Sequence, residues 1–144
     1  MIYKLKLFSL ITALGIVAVL CGGSFAESIS RPVDVQITLS EYKIESSLTQ
    51  FKVGVPYHFI VTNKGEMNHE FVIMPSMGKN TDMSMAQMDK MALGLIEEND
   101  LPSGATKTLN LTFKEPAGPG VLEFACHLFG HYEASMKLPI TVIK

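Results

Sequence analysis

Cys126-His127-Leu128-Phe129-Gly130-His131-Tyr132-Glu133-Ala134-Ser135-Met136 sets a thiol, an imidazole and a thioether at five-residue steps in one short segment. The flanking stretches, Val121 to Cys126 and Lys137 to Ile143, have the apolar and β-branched character of strands, so these groups sit in a loop joining two strands. Side chains two apart on a strand share a face. Cys126 has the parity of Leu122 and Phe124, and Met136 that of Leu138, Ile140 and Val142. Both sulfurs therefore continue the more apolar face of their strands. His127 adjoins Cys126 and is expected on the opposite face.

Reading outward, strand signals dominate. Val33, Val35, Ile37 and Leu39 alternate with polar residues, and Tyr57 to Thr62 follows Gly54-Val55-Pro56 and is closed by the turn-forming Asn63-Lys64-Gly65. His69 to Met74 is extended again, and His69 shares parity with Phe71 and Ile73. His58 has the parity opposite to Tyr57, Phe59 and Val61 and reads as a surface histidine. Thr108 to Phe113 alternates once more, and Pro116 to Gly120 is expected to break the chain. Short strands punctuated by Gly and Pro predict an all-β, antiparallel Greek-key β-sandwich.

One segment departs from this pattern. Between Met77 and Asn99, Met85, Met88, Met91, Ala92 and Leu95 recur at three- and four-residue steps, which predicts a short Met-rich helical insert around 80–97. Asp100 to Gly104 ends it with turn residues. Met77 and Met83 precede the periodic stretch and are expected to be exposed. The methionines serve either as a packing face or as a soft, thioether-lined site for Cu(I), separate from any site at Cys126.

Residues 1–26 carry Lys4 and Lys6, an uncharged and mainly apolar run from Leu7 to Leu20, and Ser24-Phe25-Ala26, the pattern of a cleaved signal peptide. The run is shorter than the roughly 20 residues a spanning helix needs. An uncleaved anchor and lipidation at Cys21 are the competing readings. The expected mature chain, 27–144, is one domain, periplasmic or secreted, with no stable membrane insertion after cleavage. Loss of Lys4 and Lys6 from 12 basic residues leaves ten against 14 acidic ones, a net charge of −4 with no basic footprint for nucleic acid. It also leaves Cys126 as the sole cysteine. A lone thiol in an oxidising compartment is exposed to oxidation unless it is buried or ligated.

Two imidazoles, one thiolate and a weak axial thioether form a donor set suited to copper cycling between Cu(I) and Cu(II), because soft sulfur holds the reduced ion and imidazole serves both states. The predicted ligands are His69, Cys126, His131 and Met136.

The spacing Cys126, His131, Met136 with an upstream His69 resembles the cupredoxins, the plastocyanin and azurin superfamily, over nearly all of Val33 to Lys144. Asn68-His69-Glu70-Phe71-Val72-Ile73 and Gly130 to Met136 look most like small periplasmic cupredoxins, including copper-tolerance-linked ones. Two positions depart from that pattern: Glu70 stands where Asn usually ties the two ligand loops together, and Ser135 stands where Gly often precedes the methionine. The resemblance implies a mononuclear type 1 (blue) copper protein active in one-electron transfer and no enzyme. It further implies a monomer that meets a redox partner protein near Leu128, Phe129, His131 and Tyr132. Copper sequestration or delivery in copper tolerance is the alternative function. Cys-His hydrolysis is weaker, since no third group orients the pair and Met136 would go unexplained.

Overall fold

The computed structural model describes residues 31–77 and 83–144, with the side chain of Met85 excepted. The expected signal peptide and part of the Met-rich insert lie outside them.

Alternation builds the first sheet. In β1 (Val33–Ser40), Val35, Ile37 and Leu39 are buried while their neighbours face outward, and β4 (Pro56–Asn63) buries Tyr57, Phe59 and Val61 in the same way. With β2 (Lys43–Ser46) and β7 (Thr106–Thr112) they form a four-stranded sheet in the order β2-β1-β4-β7. The second sheet runs β3-β9-β8-β5-β6, from β3 (Gln50–Lys52), β9 (Lys137–Ile143), β8 (Ala117–Ala125), β5 (Phe71–Pro75) and β6 (Gly94–Ile96). The β-sandwich is as expected. Its pairing differs in two places, because β1 runs parallel to β4 and β3 parallel to β9. The strands β2, β3 and β6 are too short to announce themselves by alternation.

Between the sheets lies an aromatic core. Phe51 meets Tyr57, Phe113, Phe59 and Phe124 with ring centroids 4.9, 5.2, 5.7 and 5.8 Å apart, separations at which such pairs add about 0.5–1.5 kcal/mol each beyond their buried area. Pro116 to Gly120 does not end a strand as expected. From Ala117 it is absorbed into β8, as a register shift between Ala117 and Leu122 in which Gly120 takes φ 77°.

The insert is less helical than its periodicity predicts. Helix α1 covers only Met85–Asp89, capped where the Gln87 carboxamide accepts from the Ser84 N–H at 2.9 Å. Leu95, assigned to the helical stripe by spacing, sits on β6, which pairs with β5. So short a helix has little stability of its own, and here the edge of β5 offers Gly94 to Ile96 a ladder instead. The insert lies on the outer face of the second sheet. There Val72, Met74, Met77, Ala125 and Tyr132 form a second buried cluster, with Met83, Met88, Met91, Ala92 and Leu95 packed against it. Met77 is therefore buried and Met83 half-buried, not exposed as expected, and β5 is covered on both faces.

Candidate metal centre

Three segments meet where β4 ends, β5 begins and β8 turns into β9. The first is organised by Asn63, the buried last residue of β4. Its Nδ2 donates to the carbonyls of Met67 (2.8 Å) and Leu101 (2.9 Å), and its Oδ1 accepts from the Gly65 N–H (2.9 Å). The same Leu101 carbonyl accepts the N–H of His69 at 3.2 Å, fixing the backbone that carries the first histidine. Asn63 reads in the sequence only as a turn former; its anchoring role depends on Leu101, which is distant in the chain.

The second loop is tied to itself. Cys126 N–H donates to the Met136 carbonyl at 3.1 Å, Met136 N–H to the His131 carbonyl at 2.9 Å, and His131 N–H to the Leu128 carbonyl at 2.8 Å. Gly130 and Ser135 take the positive φ values, 82° and 70°, that this tight path requires.

The side chains converge. His69 Nδ1 stands 3.3 Å from His131 Nδ1, and Cys126 Sγ stands 3.4 Å from the same nitrogen. All three residues are buried, and Met136, fully buried, belongs to the same core cluster as Cys126. Donors bound to one ion at about 2.0–2.3 Å in trigonal geometry lie roughly 3.5 Å apart, so this spacing fits a single metal ion. The chemistry of the donors fits copper, with two imidazoles and one sulfur facing a common point.

Burial disfavours charge on two of these donors, His69 and Cys126. Burial holds the His69 imidazole below its usual value, and neighbouring His131 adds to the effect against the pull of Glu41. Burial pushes the Cys126 thiol up, opposed by the backbone N–H groups of Glu70 and Leu128. The Glu70 N–H lies 3.4 Å from Sγ. The outer ring nitrogen of His69, Nε2, is buried without a hydrogen-bond partner and faces Gly65.

The remaining histidines fall where strand parity puts them. His58 is on the outer face, 2.9 Å from Asp34 Oδ1. The His127 ring points away from Cys126 into the second cluster, and the His127 backbone N–H donates to Glu70 Oε1 at 3.4 Å. The Glu70 carboxyl is pushed up to about 7, first by burial and then by the carboxylate of Asp89. Of the expected apolar rim, Phe129 is 99% exposed and Leu128 half-buried. Tyr132 is not part of a rim. Its ring packs in the second cluster at 5.7 Å from His127, and its hydroxyl donates to Glu123 Oε1 at 2.5 Å, because a loop held inward at His131 turns the next residue to the other side.

Known structures share this architecture. Dithionite-reduced auracyanin from the photosynthetic bacterium Roseiflexus castenholzii matches with a TM-score of 0.59 at 18% identity, over 80% of this chain and all of that one. Auracyanin B matches with 0.60 at 17% identity, over 80% and 92%. The fold is that of the cupredoxins. Auracyanin A, a "blue" copper protein from Chloroflexus aurantiacus, aligns at 14% identity with a TM-score of 0.50, over 78% of this chain and all of that one. Among curated proteins, the copper-resistant cuproprotein CopI of Pseudomonas aeruginosa is 25% identical over 83% of this chain and 81% of its own length. No protein-family model matches the chain.

Within the cupredoxin fold, the Glu70 departure keeps the two ligand loops joined. Its backbone N–H reaches the Cys126 sulfur and its carboxylate receives the next amide, so one residue ties both ends of the gap.

Proposed function

We propose that this protein binds one copper ion, which His69 Nδ1, Cys126 Sγ and His131 Nδ1 would hold with Met136 as a fourth, weaker ligand, and acts outside the cytoplasm as a one-electron carrier, not an enzyme. The observation that carries the reading is the convergence of two imidazole nitrogens and one thiol sulfur within a few ångströms, in a buried pocket whose backbone is fixed on every side. Copper bound there supplies the one-electron redox couple. The chain supplies ligands that move little between oxidation states, N–H donors to the sulfur, and burial that excludes water, all of which tune the potential. Exposed Phe129, beside half-buried Leu128 and buried His131, offers the surface at which a redox partner protein would meet a monomer. Residues 1–26 would direct export, and among the described residues no helix is long and apolar enough to cross a membrane.

An absorption spectrum of copper-loaded protein, repeated after reductant, tests this directly. A strong visible charge-transfer band should appear, bleach on reduction, and be absent in Cys126→Ser. A colourless, redox-silent protein from copper-replete preparation would overturn the reading.

Copper sequestration or delivery is the second reading, favoured by the similarity to CopI, whose name records copper resistance. Anaerobic Cu(I) titration separates the two. Storage at the Met-rich insert predicts more than one Cu(I) per chain, reduced to one when Met77, Met83 and Met85 are replaced together by Leu; a stoichiometry of one from the start favours electron transfer.

A further inference from the structure

We propose a second metal site, formed by Glu70, Asp89 and His127 on the opposite face of the sheet from the first, suited to a divalent ion of the zinc(II) or copper(II) type. The ligand atoms of these three residues all lie within 4.8 Å of one another, with Glu70 Oε1 3.5 Å from His127 Nδ1. That separation is the edge expected between two donors about 2.1 Å from one tetrahedral ion, and is long for a direct hydrogen bond.

The independent sign is the lack of partners. His127 is only 3% exposed, yet neither of its ring nitrogens has a hydrogen-bond partner among the described residues. Asp89 Oδ1 is likewise buried and unsatisfied. Buried polar atoms are nearly always paired, and here three such atoms belong to two side chains of one small cluster. A cation held by one ring nitrogen of His127 and by Asp89 Oδ1 would satisfy two of the three together and fix the other ring nitrogen as the N–H.

The donor set selects the ion. Two carboxylates balance a double positive charge. Imidazole favours zinc or copper(II) over calcium or magnesium, which take six or more oxygens, and the cluster holds no thiolate to favour copper(I). Three protein ligands leave room for a water as the fourth. Glu70 follows His69 and His127 follows Cys126, so the two sites stand back to back across one layer of backbone. Asp89 comes from α1, so an ion here would pin the Met-rich insert onto the sheet.

The test is zinc titration by calorimetry of protein whose first site already holds copper(I), with copper content and the visible band after reoxidation measured on the same samples. One zinc per chain is expected, along with a rise in thermal stability. Asp89→Asn should weaken zinc binding at least about tenfold and remove the thermal shift, while keeping copper, the visible band and the circular dichroism of the folded protein. Glu70→Gln should also weaken zinc. No zinc uptake by wild type, or uptake by Asp89→Asn equal to wild type, would overturn the proposal. Titrating Cys126→Ser separates this site from the copper reading. Uptake there that still depends on Asp89 upholds the second site even if the first holds no copper; uptake lost with Cys126 places zinc in the first site and sinks the second.

Discussion

The backbone N–H of Glu70 points at the sulfur of Cys126, 3.4 Å away, while the carboxylate of Glu70 takes the N–H of His127 at the same distance. The side chain thus steadies the amide that touches the sulfur. Glu70→Ala should keep copper bound but move the charge-transfer band and the reduction potential, and cost about 1–2 kcal/mol through the unpaired His127 amide. A spectrum and potential identical to wild type would show that the N–H to sulfur contact does not depend on the carboxylate.

Gly65 packs against His69 so closely that a Cβ there would stand 2.9 Å from Nε2, and would also collide with the Glu41 carboxylate. The exposed Glu41 side chain can yield; the buried His69 ring cannot. Gly65→Ala should therefore weaken copper binding about tenfold or more, equivalent to ~1.4 kcal/mol, with the fold retained by circular dichroism. Unchanged affinity in a competition titration would mean that the ring has slack.

Ser135 holds φ 70° without being glycine. The left-handed conformation costs an L-residue roughly 1–2 kcal/mol, partly offset in a glycine variant by its greater freedom when unfolded. Ser135→Gly should gain about 0.5–1 kcal/mol in denaturant unfolding of the metal-free protein, and Ser135→Val should lose more than that. A loss of stability in Ser135→Gly would indicate a compensating role for the serine hydroxyl.

Tyr132 donates to Glu123, which is 2% exposed and has Ser76 Oγ as its other partner at 2.9 Å. Burial and this carboxylate both raise the Tyr132 phenol above its ordinary value, so the hydroxyl keeps its proton to donate. Tyr132→Phe leaves a buried carboxylate short of a donor and should cost about 1.5–3 kcal/mol, while the visible band of the copper-loaded protein remains. Loss of the band would place Tyr132 among the supports of the site.

The sandwich was legible because β1, β4 and the inner faces of β5 and β8 each keep a period of two, and parity turned His69 and Cys126 inward, while His131 was legible only from its place between the two sulfurs. Tyr132, by contrast, was read as a rim residue, since loop residues carry no parity and its burial depends on the distant Glu123. The insert misled for a related reason. Met88, Met91 and Leu95 keep helical spacing, but β5 presented an unpaired edge to Leu95, and tertiary pairing overrode local periodicity. Asp89 gave no signal at all, because its meaning depends on two residues at the ends of other strands.

The register of β5 on β8, Val72 opposite Ala125, works as a reading frame for chemistry. Extended two residues toward the loops, it sets Glu70 across from His127 and leaves their predecessors, His69 and Cys126, facing the interior. A slip of one residue in either strand would reverse that strand's faces, sending a carboxylate or the wrong imidazole into the apolar interior and a sulfur or imidazole out beneath the methionine-rich cover. Each donor of one compartment is the chain neighbour of a donor of the other, Glu70 of His69 and His127 of Cys126, and the two sets are kept apart only by the pleat. Insertions or deletions near residues 69–73 or 122–126 should therefore be far more damaging than substitutions at the same positions, since they would scramble which donors share a compartment.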